Sequence, residues 1–171
     1  GETICDTAAM IQCVVRGMGG EESMVVVGYS MGGRVALRFA LAHPGRVRAL
    51  VLIGANPGMR DPVERAERMA SDHALAAQIE EHGVEWFCSH WANQPMIRSQ
   101  QAIDDSIRND MNSRKRRLRS KGLAAALRGF GQGAVEPVWD RLGELCMPSL
   151  LLTGEQDSKY TDIALTMLSN M

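Results

Sequence analysis

Apolar and polar positions follow two different textures along the chain. Residues 5–18 (CDTAAMIQCVVRGM) place apolar side chains at helical spacing and run into Gly19-Gly20, which predicts a helix with a glycine stop. After the polar break Glu21-Glu22-Ser23, the run Met24-Val25-Val26-Val27-Gly28 is continuous and β-branched, the pattern of a strand buried on both faces of a parallel sheet. Gly32-Gly33 opens a second helical stretch, RVALRFALAH, which stops at Pro44-Gly45. Val47 to Ala55 (VRALVLIGA) repeats the buried-strand pattern. Helix, strand, helix, strand is the order of an α/β fold with a parallel sheet.

From Asn56 to about Gln132 charged and polar residues dominate, and the segment reads as several short helices, one of them opened by Pro62. A helical insertion between sheet strands forms a cap over a site. The sheet resumes at residues 148–154 (PSLLLTG), and a last helix begins near Thr161. The expected division is an α/β core in 1–55, a helical cap in 56–135 and a returning core segment in 136–171. Neither an internal repeat nor a low-complexity linker interrupts it.

Composition narrows the partner. With 19 Lys+Arg against 20 Asp+Glu in 171 residues, a net charge of −1 leaves no global basic footprint for nucleic acid, so a small molecule is the expected partner. The one basic run, Arg114-Lys115-Arg116-Arg117-Leu118-Arg119-Ser120-Lys121, reads as the solvated face of a cap helix. No apolar run reaches the ~20 residues of a membrane span, and the first residues lack the sectors of a signal peptide; no membrane partner is expected. Cys5, Cys13, Cys88 and Cys146 form no C-x-x-C pair, which points to reduced thiols rather than a disulfide or metal framework. Neither metal nor organic cofactor is expected.

The chemistry sits at the end of the first strand. Gly28-Tyr29-Ser30-Met31-Gly32-Gly33 matches G-x-S-x-G, and its position between strand and helix is that of a nucleophile elbow. There a sharp turn lifts the Ser30 hydroxyl clear of the sheet, glycines two before and two after relieve the crowding, and the Met31 N–H faces an oxyanion. A serine needs a histidine to take its proton and a carboxylate to hold that histidine. Asp157, just beyond the third strand, is the candidate acid; a turn or helix-cap role is the alternative. His43, His73, His82 and His90 all precede Asp157, whereas the fold's order Ser, acid, His places the histidine after it.

The GYSMGGRVAL elbow, the ANPG…R…ER..RMASD block, Trp91 with Gln94-Pro95, LAAALRGFGQGA and TGEQDSKY together resemble the 2-succinyl-6-hydroxy-2,4-cyclohexadiene-1-carboxylate synthase family of α/β-hydrolases. The resemblance runs over essentially the whole chain and implies an α/β-hydrolase sheet with an inserted helical cap. It also implies a lyase of menaquinone or phylloquinone biosynthesis, in which a Ser-His-Asp set removes a proton and pyruvate is eliminated. The substrate carries several carboxylates, for which guanidinium forks are the best-shaped partners. Tyr29, Arg34, Arg68 and Trp91 match substrate-binding positions of the family, and Arg117 is the choice from the basic run, with Arg116 and Arg119 as alternatives.

Two other readings compete with the lyase: a generic esterase or carbon–carbon bond hydrolase, and a binding module that kept the elbow without the histidine. The resemblance implies a bacterial cytoplasmic protein or a plastid one, and leaves the oligomeric state open. For this fold the chain is expected to lack both ends, the early strands with the oxyanion loop and the histidine-bearing end, which would expose an apolar sheet edge.

Overall fold

The computed structural model describes residues 4–17, 23–94, 97, 100 and 102–171, with side chains from Thr7 onward. The Cys5 side chain, the Gly19-Gly20 stop, Glu21-Glu22 and Pro95 lie outside the described residues. The chain divides into two compact units, residues 1–68 with 129–171, and residues 69–128.

The first unit is built on α1 (Ile4–Gly17), β1 (Met24–Tyr29), α2 (Met31–Ala42), β2 (Val47–Ile53), β3 (Ser149–Leu152) and α6 (Ser158–Leu168). The strands form a parallel sheet in the order β1-β2-β3, with Val26 opposite Leu50, Gly28 opposite Leu52, and Leu52 opposite Leu151. The α/β expectation and the three strands hold, each to within two residues of the apolar run that announced it.

Among the described residues only one face of the sheet is covered. Met24, Val26, Leu50, Leu52 and Leu151 belong to or pack on one core with Leu37, Phe39 and Ala40 of α2, Met147, and Met167 of α6. The opposite face carries Val25, Val27, Tyr29, Leu150 and Leu152, all exposed, Val27 at 62%. A strand's side chains alternate between faces. A run that is apolar at every position therefore cannot tell a strand covered twice from one covered once. Complete burial of Phe39, Leu37, Leu50 and Leu52 stabilises the covered side by about 1.5–3 kcal/mol each.

The second unit is helical. The expected series of helices is present: the span α3 (Pro62–Ala92) is two helices that meet at Gly83, whose φ of 81° and ψ of −176° are not helical and suit glycine. Its start is in the first unit, where Asp61 Oδ1 accepts from the Val63 and Glu64 N–H groups at 2.8 and 2.9 Å, and Pro62 sits where no amide is needed. Within the second unit, α4 (Asp105–Arg116) is capped by Asp104 and α5 (Ser120–Phe130) follows. Two carboxylates of α3 tie the bundle: Glu80 receives both Arg128 Nη atoms at 2.8 and 2.7 Å, and Glu85 pairs with Arg116 at 3.4 Å. The basic run is not one helical face. It spans the last turn of α4, a short connection and the start of α5, with Arg114 paired to Asp110 at 2.8 Å. No helix among the described residues is long and apolar enough to cross a membrane.

Two outcomes test these assignments. Hydrogen bonds from Arg128 hold the Glu80 carboxyl below its ordinary range, so the pair's contribution is present above that range and lost as pH falls through the folded value. Carboxyl-carbon NMR is expected to place Glu80 below an ordinary glutamate and to return it upward in Arg128→Leu; an unmoved titration would show that the pair does not act. At Gly33 an added Cβ would lie 2.4 Å from the Ala55 Cβ, whereas Gly32 has no atom within 4 Å of that position. Thermal unfolding is expected to show Gly33→Ala destabilised by about 1–3 kcal/mol and Gly32→Ala unchanged or slightly stabilised.

Candidate active site

β1 passes into α2 through a single residue, Ser30, whose φ of 50° and ψ of −112° make it the one non-glycine residue with positive φ among those described. A side chain in that conformation costs on the order of 1–3 kcal/mol, and the surroundings must hold it there. They do so from two sides. The Ser30 N–H donates to the Ile53 carbonyl at 2.8 Å, tying the turn to the end of β2. The Ser30 carbonyl accepts from Gly33 N–H at 3.0 Å and Arg34 N–H at 3.3 Å, closing the first turn of α2.

The crowding is relieved by a different pair of glycines from the one the motif suggests. A Cβ on Gly28 would meet the Gly32 carbonyl oxygen at 2.5 Å and the Gly33 Cα at 2.6 Å, both backbone atoms. Gly32 itself faces open space, and the second tight position is Gly33, pressed against Ala55. Met31, 39% exposed, is the first residue of α2, so its N–H has no acceptor within the helix.

Ala55, expected at the end of the second strand, instead lies in the loop that follows β2. Asn56 is buried and its Oδ1 accepts from Gly58 N–H at 3.2 Å. The Pro57 carbonyl accepts from Val138 N–H at 2.8 Å, and the Gly58 carbonyl from the Trp139 indole N–H at 2.8 Å. Arg60 covers the Trp139 ring with its guanidinium carbon 4.3 Å from the centroid. The Pro57-Gly58 pair signals a turn in the sequence. Nothing local to it points to Trp139, 81 residues away.

Asp157 lies beyond the carboxyl end of β3, as Ser30 lies beyond that of β1, with β2 between them. Two strand spacings separate the two strands, roughly 10 Å. Both residues therefore flank the carboxyl edge of the sheet, where open α/β sheets bind their ligands. Asp157 is the N-cap of α6: its Oδ1 accepts from Tyr160 N–H at 3.1 Å, and its carbonyl from the Thr161 hydroxyl at 2.9 Å. Thr161 also shares a 3.0 Å bond with the Thr153 hydroxyl at the end of β3. The cap role and an exposed carboxylate coexist, since capping engages one oxygen and a carboxylate has two.

The remaining residues named from the sequence are dispersed. Tyr29 ends β1 on the open sheet face at 69% exposure. Arg34 is 5% exposed, and its Nη2 donates to the Phe130 carbonyl at 2.6 Å, a backbone partner the motif gave no sign of. Arg68 is exposed on α3 at the boundary of the first unit. In the second unit Trp91 stacks at a tilt on Phe87, centroids 5.5 Å apart, Gln94 lies at 3.1 Å from the His90 ring, and Arg117 is an exposed C-cap of α4. Of the histidines, His43 shares the first unit with Ser30 but caps the opposite end of α2, with its ring on Phe39 at 5.0 Å. His73, His82 and His90 belong to the second unit, where Trp86 lies between the rings of His82 and His90.

Comparison with known proteins agrees with this construction. A family model for the alpha/beta hydrolase fold matches residues 2–168. A Bacillus subtilis protein that carries the name of a 2-succinyl-6-hydroxy-2,4-cyclohexadiene-1-carboxylate synthase is 42% identical over 138 residues, which is 81% of this chain and 50% of that protein. The synthase of Klebsiella pneumoniae subsp. pneumoniae is 30% identical over 85% of this chain and 57% of its own length. The structure of MenH from S. aureus superposes with a TM-score of 0.92 at 29% identity, covering 98% of this chain and 62% of that one. The chain thus spans about half the length of the curated bacterial relatives it matches. With the strand-to-helix serine turn, the parallel sheet and the family match over residues 2–168 all in agreement, the chain belongs to the alpha/beta hydrolase fold family, and bacterial relatives it matches there carry the name of that synthase.

Proposed function

We propose that this chain is part of a lyase that eliminates pyruvate from 2-succinyl-5-enolpyruvyl-6-hydroxy-3-cyclohexene-1-carboxylate to leave 2-succinyl-6-hydroxy-2,4-cyclohexadiene-1-carboxylate. The observation that carries the reading is Ser30, held at φ 50° between β1 and α2 in a chain 42% identical to a protein named for that reaction. Ser30 Oγ takes the proton from ring carbon 2, beside the succinyl carbonyl; the electron pair of that C–H bond forms the C2–C3 double bond, the C3–C4 pair shifts to C4–C5, and the C5–O bond to the enolpyruvyl group breaks. The leaving group departs as the enolate of pyruvate, which takes up the proton that the imidazole received from Ser30 and becomes the ketone. No water is added and no acyl-enzyme forms.

For Ser30 to act as a base, its own proton must pass to an imidazole held by Asp157. This reading draws that histidine from the part of the relatives' length that the present chain does not span. His43, at the far end of α2, is not the base. The Met31 N–H, free of any helix acceptor, is assigned to the developing oxyanion, where the N-terminus of α2 favours negative charge. Tyr29, Arg34, Arg68, Trp91 and Arg117 are assigned to substrate, the arginines to its carboxylates. The assigned place is the cytoplasm of a menaquinone-making cell or, as for the chloroplastic relative of Arabidopsis thaliana that is 30% identical over 154 residues, a plastid.

In the full-length protein, Ser30→Ala is expected to lower the rate of pyruvate release at saturating substrate by at least about 10³-fold, in line with the loss of a triad member. Coupled detection of pyruvate measures it. Unchanged release would remove Ser30 from the mechanism, and a burst of acyl-enzyme from p-nitrophenyl esters without any pyruvate would replace the lyase by an esterase.

A further inference from the structure

The two elements that carry Ser30 and Asp157 are joined by more than the sheet. Where the chain re-enters the first unit, Phe130, Gly131 and Gln132 lie against both of them. On one side the Phe130 carbonyl accepts from Arg34 Nη2 at 2.6 Å, and Arg34 stands one turn into α2, its N–H bonded to the Ser30 carbonyl. On the other side Gln132 Nε2 donates to the Tyr160 hydroxyl at 3.0 Å, and the Tyr160 N–H is the donor that holds Asp157 Oδ1. Gly131 between them is buried, and Gln132 and Tyr160 are half-buried.

We propose that Gln132 is a positioning residue: with Phe130 and Gly131 it forms a strut between α2 and α6 that fixes the placement of the Asp157 carboxylate relative to Ser30. The inference rests on the reading of Ser30 and Asp157 given above. Hydrogen bonds along the sheet align the strand ends but leave side chains beyond those ends free to drift. The turn that holds Asp157 is restrained from the β3 side by Thr153 and Thr161. From the α2 side, the Gln132–Tyr160 bond reaches it. A charge misplaced by about 1 Å weakens the orientation of the imidazole it must hold, which lowers turnover without altering substrate affinity.

The test is a double-mutant cycle in the full-length protein, reading pyruvate release for Gln132→Leu, Tyr160→Phe and the pair together, with Asp157→Asn as the reference. Each single variant is expected to lower kcat by about 3- to 10-fold, the worth of one hydrogen bond, with KM within twofold and the melting temperature little changed. The double variant is expected to be no slower than the slower single one. Unaltered kcat in the singles, losses that multiply in the double, or a rise confined to KM would each overturn the strut while leaving the proposed reaction standing, provided Asp157→Asn abolishes release. Should Asp157→Asn release pyruvate at the normal rate, the assignment of the acid fails and the strut fails with it.

Discussion

The close approach of α2 to the ends of β1 and β2 is the constraint on which the rest of the first unit depends. Gly28 lets the backbone of α2 come within van der Waals distance of the strand, and Gly33 lets Ala55 sit against the helix from the other side. With Cβ atoms at either position the helix would have to move outward, and Ser30 would lose the bonds that hold its unfavourable turn. The same approach buries Leu37, Phe39 and Ala40 against Leu50 and Leu52, so packing and turn geometry are satisfied by one arrangement rather than traded against each other. Because the loop after Ala55 is anchored in turn by Val138 and Trp139, a segment more than 80 residues downstream helps determine how firmly the serine turn is backed.

Much of this was legible in the sequence. The runs MVVVG and VRALVLI announced strands because β-branched residues without polar interruption fit little else at that length, and the glycines around Ser30 fixed where strand gave way to helix. What could not be read was set by tertiary contact. The spacing of G-x-S-x-G pointed to Gly32 where the crowding falls on Gly33. Arg34 drew attention as a guanidinium next to the serine, yet the partner that appears for its Nη2 is a backbone carbonyl 96 residues away, a pairing no local pattern encodes.

The two units differ in what holds them. The first is organised by apolar burial around a sheet, with buried polar atoms of Asn56 and Trp139 satisfied by the backbone of the loop they support. The second has a thin apolar interior, with Ala76, Ile79 and Ala124 fully buried, and relies visibly on pairs such as Glu80 with Arg128. Exposed pairs of that kind contribute little in water individually and weaken with salt. The energetics of the second unit are therefore more responsive to solution conditions than those of the sheet.

The backbone of Ser30 carries a consequence for how such a sequence changes over time. Glycine would adopt φ 50° without penalty, so the position is one where loss of the side chain would make the folded chain more stable. Selection acting on stability alone would drift away from serine there. If the hydroxyl performs the proton transfer proposed above, the strain at Ser30 is the stability given up for that chemistry.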